Sequence, residues 1–369
     1  MLQKFDPRNA NLKIFIKDRL YPRDQAKVSV FDSVVQGGDA VWEGLRVYPE
    51  GIVCLDHHLN RLLASAKTLA FADIPSKEFV RSAIAQTLAA NNMTDQTHIR
   101  LTLTRGEKIT SGMDPRLNQE GSCLIVLAEF KPLVYDNASG IKVISSSQRR
   151  NGPEFLDSKI HHNNLLNNIL AKIQANIAGK DAGLMLDQRG FVAELNGSNL
   201  FAVKGDTVYT PYAHACLPGI TRATVIDLCG QNDIKIKEAD LSLSEMYNAD
   251  GVFATGTMGE LTPVVEIDGR SIVEPMSKLS MTVTEPLGKQ ELRNVTDFSR
   301  SGRKGPVFLE ICLDITAMEV NKDSLNAASE HIKRVEPKIV TKFSPDEATQ
   351  LSELISKSSR PLFLVGGGL

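Results

Sequence analysis

The sequence predicts an α+β fold with two domains and a shorter C-terminal piece. At 369 residues the chain is long enough for two hydrophobic cores. Short strand-like segments bounded by Asp, Gly and Asn alternate irregularly with amphipathic helices, which does not favour regular βαβ units. The polar stretch KPLVYDNASG, residues 131–140, carries turn residues and is the predicted linker between the domains.

The composition excludes several classes of partner. The hydrophobic fraction is 42%, the charged fraction is 23%, and the net charge is −2. This charge provides no electrostatic basis for binding nucleic acid or an anionic membrane. No apolar stretch approaches the about 20 residues that span a bilayer, and the segment MLQKFDPRNANLKIF lacks the apolar centre of a secretory signal. We therefore expect a cytoplasmic protein.

Cysteine and histidine do not suggest a metal centre. The five cysteines are scattered without a C-x-x-C pair, so we expect reduced packing residues: Cys54, Cys123, Cys216, Cys229 and Cys312. Four of the histidines form two adjacent pairs, His57–His58 and His161–His162. Neighbouring side chains point apart on a helix or a strand. We expect no metal site, and interpret these histidines as helix caps, polar neighbours of a substrate, or solvated side chains.

The predicted first domain, residues 1–130, mixes helices and strands. GIVCLDHHLNRLLASAKTLAF begins as a strand and becomes a helix, and KEFVRSAIAQTLAANNM is a second amphipathic helix. THIRLTLTRG alternates apolar and polar side chains, which predicts a half-buried strand whose polar face carries Arg100. SCLIVLAEF is a short buried strand.

The predicted second domain, residues 141–288, is richer in strands. After the strand IKVISSSQ, a helix is predicted from about Asn163 to Ala178, with Gly179 in the C-cap position. The short strands GLMLD, FVAEL, NLFAV and TVYTP follow, and GITRATVIDLCG is a helix. The segments DIKIKEADL and GVFATGT complete the region with short helices between them.

Lys159 and Glu194 indicate a cofactor. Lys159 stands directly before two histidines and four asparagines in LDSKIHHNNLLNNILAK, and Glu194 follows 35 residues later. A lysine with a lowered pKa forms a Schiff base with an aldehyde such as pyridoxal phosphate, and an acidic residue against the ring nitrogen keeps the ring an electron sink. Taken alone, such a pair is usually a surface ion pair of little energetic value.

Two further turns supply donors for a phosphate. LPGITRATVIDL places Gly219 before the helix-opening residues Ile220 and Thr221, and a helix N-terminus is a favourable anion site. ATGTMGELTP provides a second polar turn around Thr257. The four elements in this order favour the Schiff-base interpretation of Lys159.

This order resembles the class IV, fold-type IV pyridoxal-phosphate aminotransferases. The family includes branched-chain aminotransferases, D-amino-acid aminotransferases and aminodeoxychorismate lyase. The resemblance covers about residues 10–285 and includes GGDAVWEGLRVY at 37–48 and HLNRL around Arg61. It implies a small α/β sandwich domain, a larger pseudo-barrel α/β domain, and a homodimer.

The resemblance also assigns roles to residues. Lys159 would be the catalytic residue, forming the internal aldimine and moving the α-proton, while Glu194 would hold the pyridinium N–H and Asn199 would brace it. The implied cofactor-binding residues are Arg61, Lys159, Glu194, Asn199, Gly219, Ile220, Thr221, Gly256 and Thr257. The implied substrate-binding residues are Trp42, Arg100, Asn164, Met258 and Gly259. From the strand pattern alone, Arg100 is equally consistent with a buried ion pair and with a substrate or dimer contact.

Two departures from the family pattern bear on the substrate. Many members have a tyrosine near the ring oxygen of the cofactor where this chain has Asn164. An asparagine can donate a similar hydrogen bond but cannot stack or ionise. The family's small GTAA-type turn is GTMGE here, which puts Met258 near the substrate carboxylate.

The expected reaction is transamination of branched-chain L-amino acids with 2-oxoglutarate by a ping-pong mechanism, so the expected partners are small amino and keto acids. D-amino-acid transamination and aminodeoxychorismate lysis are the alternatives within the family. A non-catalytic or chimeric product is the alternative from another class.

Residues 289–369 differ in character from the rest. SGRKGPVFLEICLDI at 301–315 and SRPLFLVGGG at 359–368 resemble the pyrimidine-domain end and the central-domain start of thiamine-diphosphate enzymes such as acetolactate synthase. Cys312 stands where that family has a proline, and the activating glutamate and the G-D-G motif are absent. We expect this fragment not to bind thiamine diphosphate, and either a fusion or a chimeric gene model would explain it.

Overall fold

The computed structural model describes residues 3–272, which form two β-sheets with helices packed on them. The strands of the first sheet are β1 (Lys13–Ile16), β2 (Arg19–Pro22), β3 (Ala40–Tyr48), β4 (Gly51–Ile52), β5 (Thr97–Thr104) and β6 (Cys123–Phe130). They lie in the order β2-β1-β6-β5-β3-β4, and all their pairings are antiparallel.

Two long helices cover the first sheet, as the apolar periodicity predicts. The helices of this part are α1 (Ser33–Gly37), α2 (Leu55–Thr68) and α3 (Lys77–Ala90), with a 3-10 turn at Pro7–Asn9 and another at Pro115–Leu117. Leu59, Leu62 and Ala66 are buried on one face of α2. They pack with strand residues such as Leu45 and Leu101 into one core, which holds α2 against β3.

The second sheet follows residues 131–140, the predicted linker. Its strands are β7 (Ile141–Arg149), β8 (Ala182–Leu186), β9 (Val192–Leu195), β10 (Asn199–Lys204), β11 (Thr207–Pro211), β12 (Lys235–Ala239), β13 (Gly251–Gly256), β14 (Glu260–Ile267) and β15 (Arg270–Ser271). Eight of them lie in the order β12-β11-β10-β13-β14-β7-β8-β9, and β15 pairs with β14. The helices are α4 (Leu166–Ile177), α5 (Ile220–Gln231) and α6 (Leu243–Tyr247).

The second sheet is mixed and curled. β7 runs parallel to both β8 and β14, and β11 runs parallel to β12, whereas the other pairings are antiparallel. β9, at one end of the order, contacts β10 and β11 near the other end, so the sheet bends into a half-barrel. The prediction of an α+β fold with many short strands rather than regular βαβ units is confirmed.

Helix α4 begins later than the sequence predicts. The prediction placed its start near Asn163, but the helix starts at Leu166. The amide of Asn163 instead donates to the carbonyl of Ala40 at 2.8 Å, which keeps this part of the chain extended against β3. Gly179 follows the helix with φ +65°, as expected for the residue after a C-cap.

Other predictions can be compared only within residues 3–272. Among the cysteines of this part, Cys123, Cys216 and Cys229 form no disulfide bond. None of its helices combines the length and apolarity that crossing a bilayer requires. The segment that resembles thiamine-diphosphate enzymes, with Cys312, lies outside the described residues.

Candidate active site

Lys159 lies in the loop of residues 150–165 between β7 and α4. Its side chain is exposed, but its backbone is held, because its amide donates to Asp157 Oδ1 at 2.9 Å. The neighbouring Ser158 is buried and donates its hydroxyl to the carbonyl of Asn151 at 2.6 Å. The loop therefore presents an accessible amine from a fixed backbone.

The same loop docks on the first sheet at the start of β3. The Trp42 amide donates to the carbonyl of His161 at 2.9 Å, and the Trp42 indole Nε1 donates to the carbonyl of His162 at 3.1 Å. An isolated antiparallel bridge joins Val41 to His162. Lys159 is thereby brought to the place where the two sheets meet.

Glu194, on β9, is the centre of a buried polar group. Its side chain is 6% exposed, and its Oε1 accepts a hydrogen bond from Arg150 Nε at 2.5 Å. Asn199 Nδ2 donates to the other carboxylate oxygen at 3.1 Å and to the carbonyl of Leu217 at 2.9 Å. Burial raises the pKa of Glu194, and the positive charge of Arg150 opposes that rise.

Arg150 was missed in the sequence. A buried carboxylate requires a cationic or hydrogen-bonding partner, and two arginines, Arg149 and Arg150, stand together at the end of β7. The doublet is a signal, but only the tertiary structure shows that Arg150 is the partner.

The segment before α5 and the first turn of that helix provide hydrogen-bond donors for an anion. Gly219 is the N-cap of α5, no side chain caps this end, and Ile220 and Thr221 form the first turn. Arg61 Nη1 donates to the carbonyl of Pro218 at 3.0 Å, which places the guanidinium at the same turn. An uncapped helix N-terminus beside an arginine suits a phosphate group.

Close packing at Gly219 links this turn to Glu194. A Cβ atom on Gly219 would lie 2.0 Å from Asn199 Oδ1. Within residues 3–272, the buried hydroxyl of Thr255, which pairs with Asn199 across β10 and β13, has no hydrogen-bond partner. The donor set and this unpartnered hydroxyl fit pyridoxal phosphate: Arg61 and the first turn of α5 would hold its phosphate, and Glu194 would hold its ring nitrogen.

Replacing Gly219 with alanine is expected to weaken the binding of pyridoxal phosphate by at least about tenfold, because the new methyl group must displace the side chain that holds Glu194. Fluorescence titration with the cofactor measures this loss. Gly230, also in α5, is the control, since a Cβ there meets nothing within 4 Å. Gly230→Ala should leave the affinity unchanged and, by raising helix propensity, stabilise the fold slightly. Equal affinities for both variants would contradict the prediction.

Glu43, on β3, organises a second buried cluster. Its carboxylate is fully buried and accepts two hydrogen bonds from Arg61, at 2.8 and 2.7 Å. The Nδ1 atoms of His58 and His161 lie 2.7 and 3.0 Å from the same carboxylate. Glu43 therefore connects Arg61, which bonds Pro218 in the segment before α5, with His161 in the Lys159 loop.

The charges in this cluster follow from burial and pairing. Burial alone would raise the pKa of Glu43, but His161, Arg61 and His58 outweigh it and hold the pKa well below its usual range. Burial lowers the pKa of His161 to about 4, despite the neighbouring carboxylate. At neutral pH, Glu43 is therefore ionised and His161 is neutral.

The interpretation of the paired histidines as solvated side chains is wrong for His58, His161 and His162, and no side chain caps α2 or α4; the interpretation as polar neighbours of a substrate stays a prediction. His58 and His162 are buried, and His161 packs its ring against Trp42 with centroids 4.1 Å apart. Of these four, only His57 is exposed. Glu43 was not assigned a role either, although His58 and Arg61, three residues apart on α2, share one helix face and indicate a buried acidic partner.

Trp42 and Arg100 form a cationic wall beside the Lys159 loop. The Arg100 guanidinium lies 3.4 Å from the centroid of the Trp42 ring and donates to Asn163 Oδ1 at 3.0 Å. Burial lowers the pKa of Arg100 to about 10, so it remains charged at neutral pH. No carboxylate within residues 3–272 forms an ion pair with it. The structure thus does not support the buried ion pair, one of the two interpretations of Arg100.

The GTMGE turn joins β13 to β14 and is held by the connecting segment. The carbonyl of Met258 accepts from the amide of Val134 at 3.0 Å, and Asn137 Nδ2 donates to the carbonyl of Gly259 at 3.0 Å. The Gly259 amide donates to the carbonyl of Gly256 at 3.1 Å, so it closes the turn. This differs from the substrate-binding role that the resemblance implied for Gly259. Thr257 and Met258, both half-buried, are the residues left for a ligand in this turn.

Asn164 is the predicted site residue with the weakest structural support. Its side chain is exposed, and the nearest atoms to a Cβ on Gly38 are those of Asn164, at 3.8–3.9 Å. The residue therefore lies beside Gly38, at the C-terminal end of α1.

Comparison with known proteins identifies the family to which the chain belongs. Residues 40–267 match the family described as "Amino-transferase class IV". Branched-chain-amino-acid aminotransferase-like protein 2 of Arabidopsis thaliana is 58% identical over 268 residues, which cover 73% of this chain and 48% of that protein. The chain therefore spans about half the length of this relative.

A shorter relative and a solved structure cover more of their own length. The branched-chain-amino-acid aminotransferase of Pseudomonas aeruginosa is 33% identical over 255 residues, covering 67% of this chain and 82% of that protein. The branched-chain aminotransferase of the archaeon Thermoproteus uzoniensis, solved with norvaline, superposes with a TM-score of 0.71 at 28% identity, covering 79% of this chain and 98% of that chain. This chain belongs to the class IV aminotransferase family, whose members are pyridoxal-phosphate enzymes.

Proposed function

We propose that this protein transfers the amino group of branched-chain L-amino acids to 2-oxoglutarate with pyridoxal phosphate as its cofactor. One observation carries the proposal: the guanidinium of Arg100, which pairs with no carboxylate of residues 3–272, lies on Trp42 and bonds the loop that presents Lys159. An amino acid whose carboxylate pairs with Arg100 would have its α-carbon near this loop. The names of the relatives support a branched-chain substrate.

The bound cofactor would supply an electron sink for the charge that develops at the substrate α-carbon. Lys159 Nζ would attach the cofactor covalently and, once released, move the proton from the α-carbon as general base. Glu194 would hold a proton on the ring nitrogen, and Arg150 would keep Glu194 in place. Arg61 and the N-terminus of α5 would bind the phosphate.

Three other residues of the proposed site bear on the choice of substrate. Trp42 and Met258 would contact the apolar side chain of the substrate, and Arg100 would bind carboxylates in both half-reactions, as ping-pong kinetics requires. We also propose a cytoplasmic homodimer, as expected from the sequence.

An absorbance scan of the purified protein with added pyridoxal phosphate tests the proposal. We expect a visible band from the bound cofactor that bleaches with L-leucine and recovers with 2-oxoglutarate. Bleaching with D-alanine alone would replace the substrate with D-amino acids. Pyruvate release from aminodeoxychorismate would indicate the lyase, and the absence of any cofactor band would overturn the class of reaction.

A further inference from the structure

The GTMGE turn ends on a residue with an unfavourable backbone conformation. Glu260, the first residue of β14, has φ +55°, in the left-handed region that few residues other than glycine adopt. Such a conformation persists only where surrounding contacts hold it, and it is frequent where a protein clamps a ligand. Glu260 directly follows Gly259, so its backbone sets the direction in which the turn returns to the sheet.

A contact from the first sheet holds the side chain of Glu260. The hydroxyl of Tyr48, the last residue of β3, donates to Glu260 Oε1 at 2.5 Å. A hydrogen bond from a hydroxyl to a carboxylate belongs to the short and strong kind. This bond therefore ties the end of the turn to the first sheet.

Tyr48 lies on the face of β3 that also carries Trp42. Side chains alternate along a strand, so residues 42, 44, 46 and 48 share one face. The Arg46 guanidinium lies 5.9 Å from the centroid of the Tyr48 ring, and the Arg100 guanidinium lies on Trp42. Leu45, on the opposite face, packs in the core with α2. Tyr48 and the cationic wall are therefore parts of the same sheet face.

The backbone of the turn is held from another direction as well. Val134 and Asn137, in the connecting segment, bond the carbonyls of Met258 and Gly259. The bond from Tyr48 adds a contact from the first sheet. The turn is thus fixed on both sides of Thr257 and Met258.

We propose that Tyr48 and Glu260 are positioning residues that fix the GTMGE turn against the face of β3 that carries the cationic wall. This inference rests on the proposed function. Thr257 and Met258 would then keep their distance from Arg100 whether or not a substrate is bound. Loss of the bond would weaken the binding of substrate and of transition state alike, which raises KM and leaves kcat nearly unchanged.

Kinetics of the protein loaded with pyridoxal phosphate test the proposal. Tyr48→Phe removes only the hydroxyl and should raise KM for L-leucine at least about fivefold, with kcat within about twofold of wild type. Glu260→Ala should have the same effect, and the double variant should show no further rise, because both changes remove one contact. Glu260→Gln keeps an acceptor for the Tyr48 hydroxyl and should keep KM within about twofold of wild type.

Tyr247→Phe is the matched control. The Tyr247 hydroxyl donates to Asp268 Oδ2 at 2.7 Å, so the change removes the same kind of bond. Asp268 follows β14 at the end opposite to Glu260. Tyr247→Phe should therefore leave KM unchanged, and an equal rise in KM for both phenylalanine variants would overturn the proposal.

Hydrogen exchange of the Gly259 amide provides a readout that does not need turnover. This amide donates to the carbonyl of Gly256 and closes the turn. Without substrate, Tyr48→Phe should speed its exchange at least about tenfold, and Tyr247→Phe should not.

The two readouts separate this inference from the proposed function. If wild type does not turn over L-leucine but Tyr48→Phe speeds the exchange, the proposed function is wrong and the contact still fixes the turn. If Tyr48→Phe leaves KM unchanged in an active protein, the pair does not position the turn for substrate, whatever the exchange shows. Should Tyr48→Phe fail to fold by circular dichroism, Glu260→Ala decides by the same two measurements.

Discussion

Replacing Lys159 with alanine is expected to lower kcat with L-leucine by at least about 10⁴-fold, the upper end of the range for a positioned general base. The change also removes the amine that would attach the cofactor. The fold should be unaffected, because the Lys159 side chain is exposed and the loop is held by backbone and Ser158 contacts. Steady-state kinetics and a thermal melt measure the two effects.

Two further variants make the Lys159 prediction specific. Lys159→Arg keeps a positive charge but has no amine with the required pKa, so it should be as inactive as the alanine variant. Lys237→Ala, at an exposed position on β12, should retain wild-type activity. Turnover by Lys159→Ala above a few per cent of wild type would assign the chemistry to another group.

Replacing Glu43 with glutamine is expected to lower the free energy of unfolding by about 3–5 kcal/mol, as when one partner of a buried ion pair is removed. The variant leaves the guanidinium of Arg61 without its carboxylate partner. Arg61 also donates to the carbonyl of Pro218 in the segment before α5, where the phosphate would bind. The affinity for pyridoxal phosphate should therefore fall as well. Urea denaturation and cofactor titration measure the two losses.

The loss of stability on replacing Glu43 should depend on pH. The pKa of Glu43 is lowered in the folded protein. The advantage of wild type over Glu43→Gln is therefore full above the unfolded pKa of about 4.3, and declines as the pH falls from there towards the folded pKa. Glu120→Gln, at an exposed position, is the control and should show neither the loss nor the pH dependence. A constant difference between pH 3 and pH 7 would show that the carboxylate charge is not responsible.

The sequence predicted local structure well where periodicity was strong. The apolar stripe of α2 and the alternation of β5 both correspond to elements in the structure. The prediction for α4 was wrong at its start, because the Asn163 amide bonds Ala40 from a strand more than a hundred residues earlier in the chain. A local pattern contains no information about such a contact.

For the polar residues of the site, the sequence likewise predicted the short motifs but not the partners of the buried carboxylates. The order of Lys159, Glu194, the segment before α5 and the GTMGE turn is legible in the sequence, because each element needs particular residue types at short spacing. The partners of the buried carboxylates cannot be predicted in this way, because they come from segments far apart in the chain. Arg150 bonds Glu194. Arg61 and two histidines contact Glu43.

The sequence by itself determined the fold class, the family and the lysine on which the proposed chemistry depends, since these follow from periodicity and from short motifs. Only the tertiary structure decided which side chains neutralise the buried carboxylates, and that His162 is buried while Asn164 is exposed. The physical reason is that burial and charge pairing are properties of the packed sheets. The same histidine would be solvated on an open loop and is buried where β3 covers it.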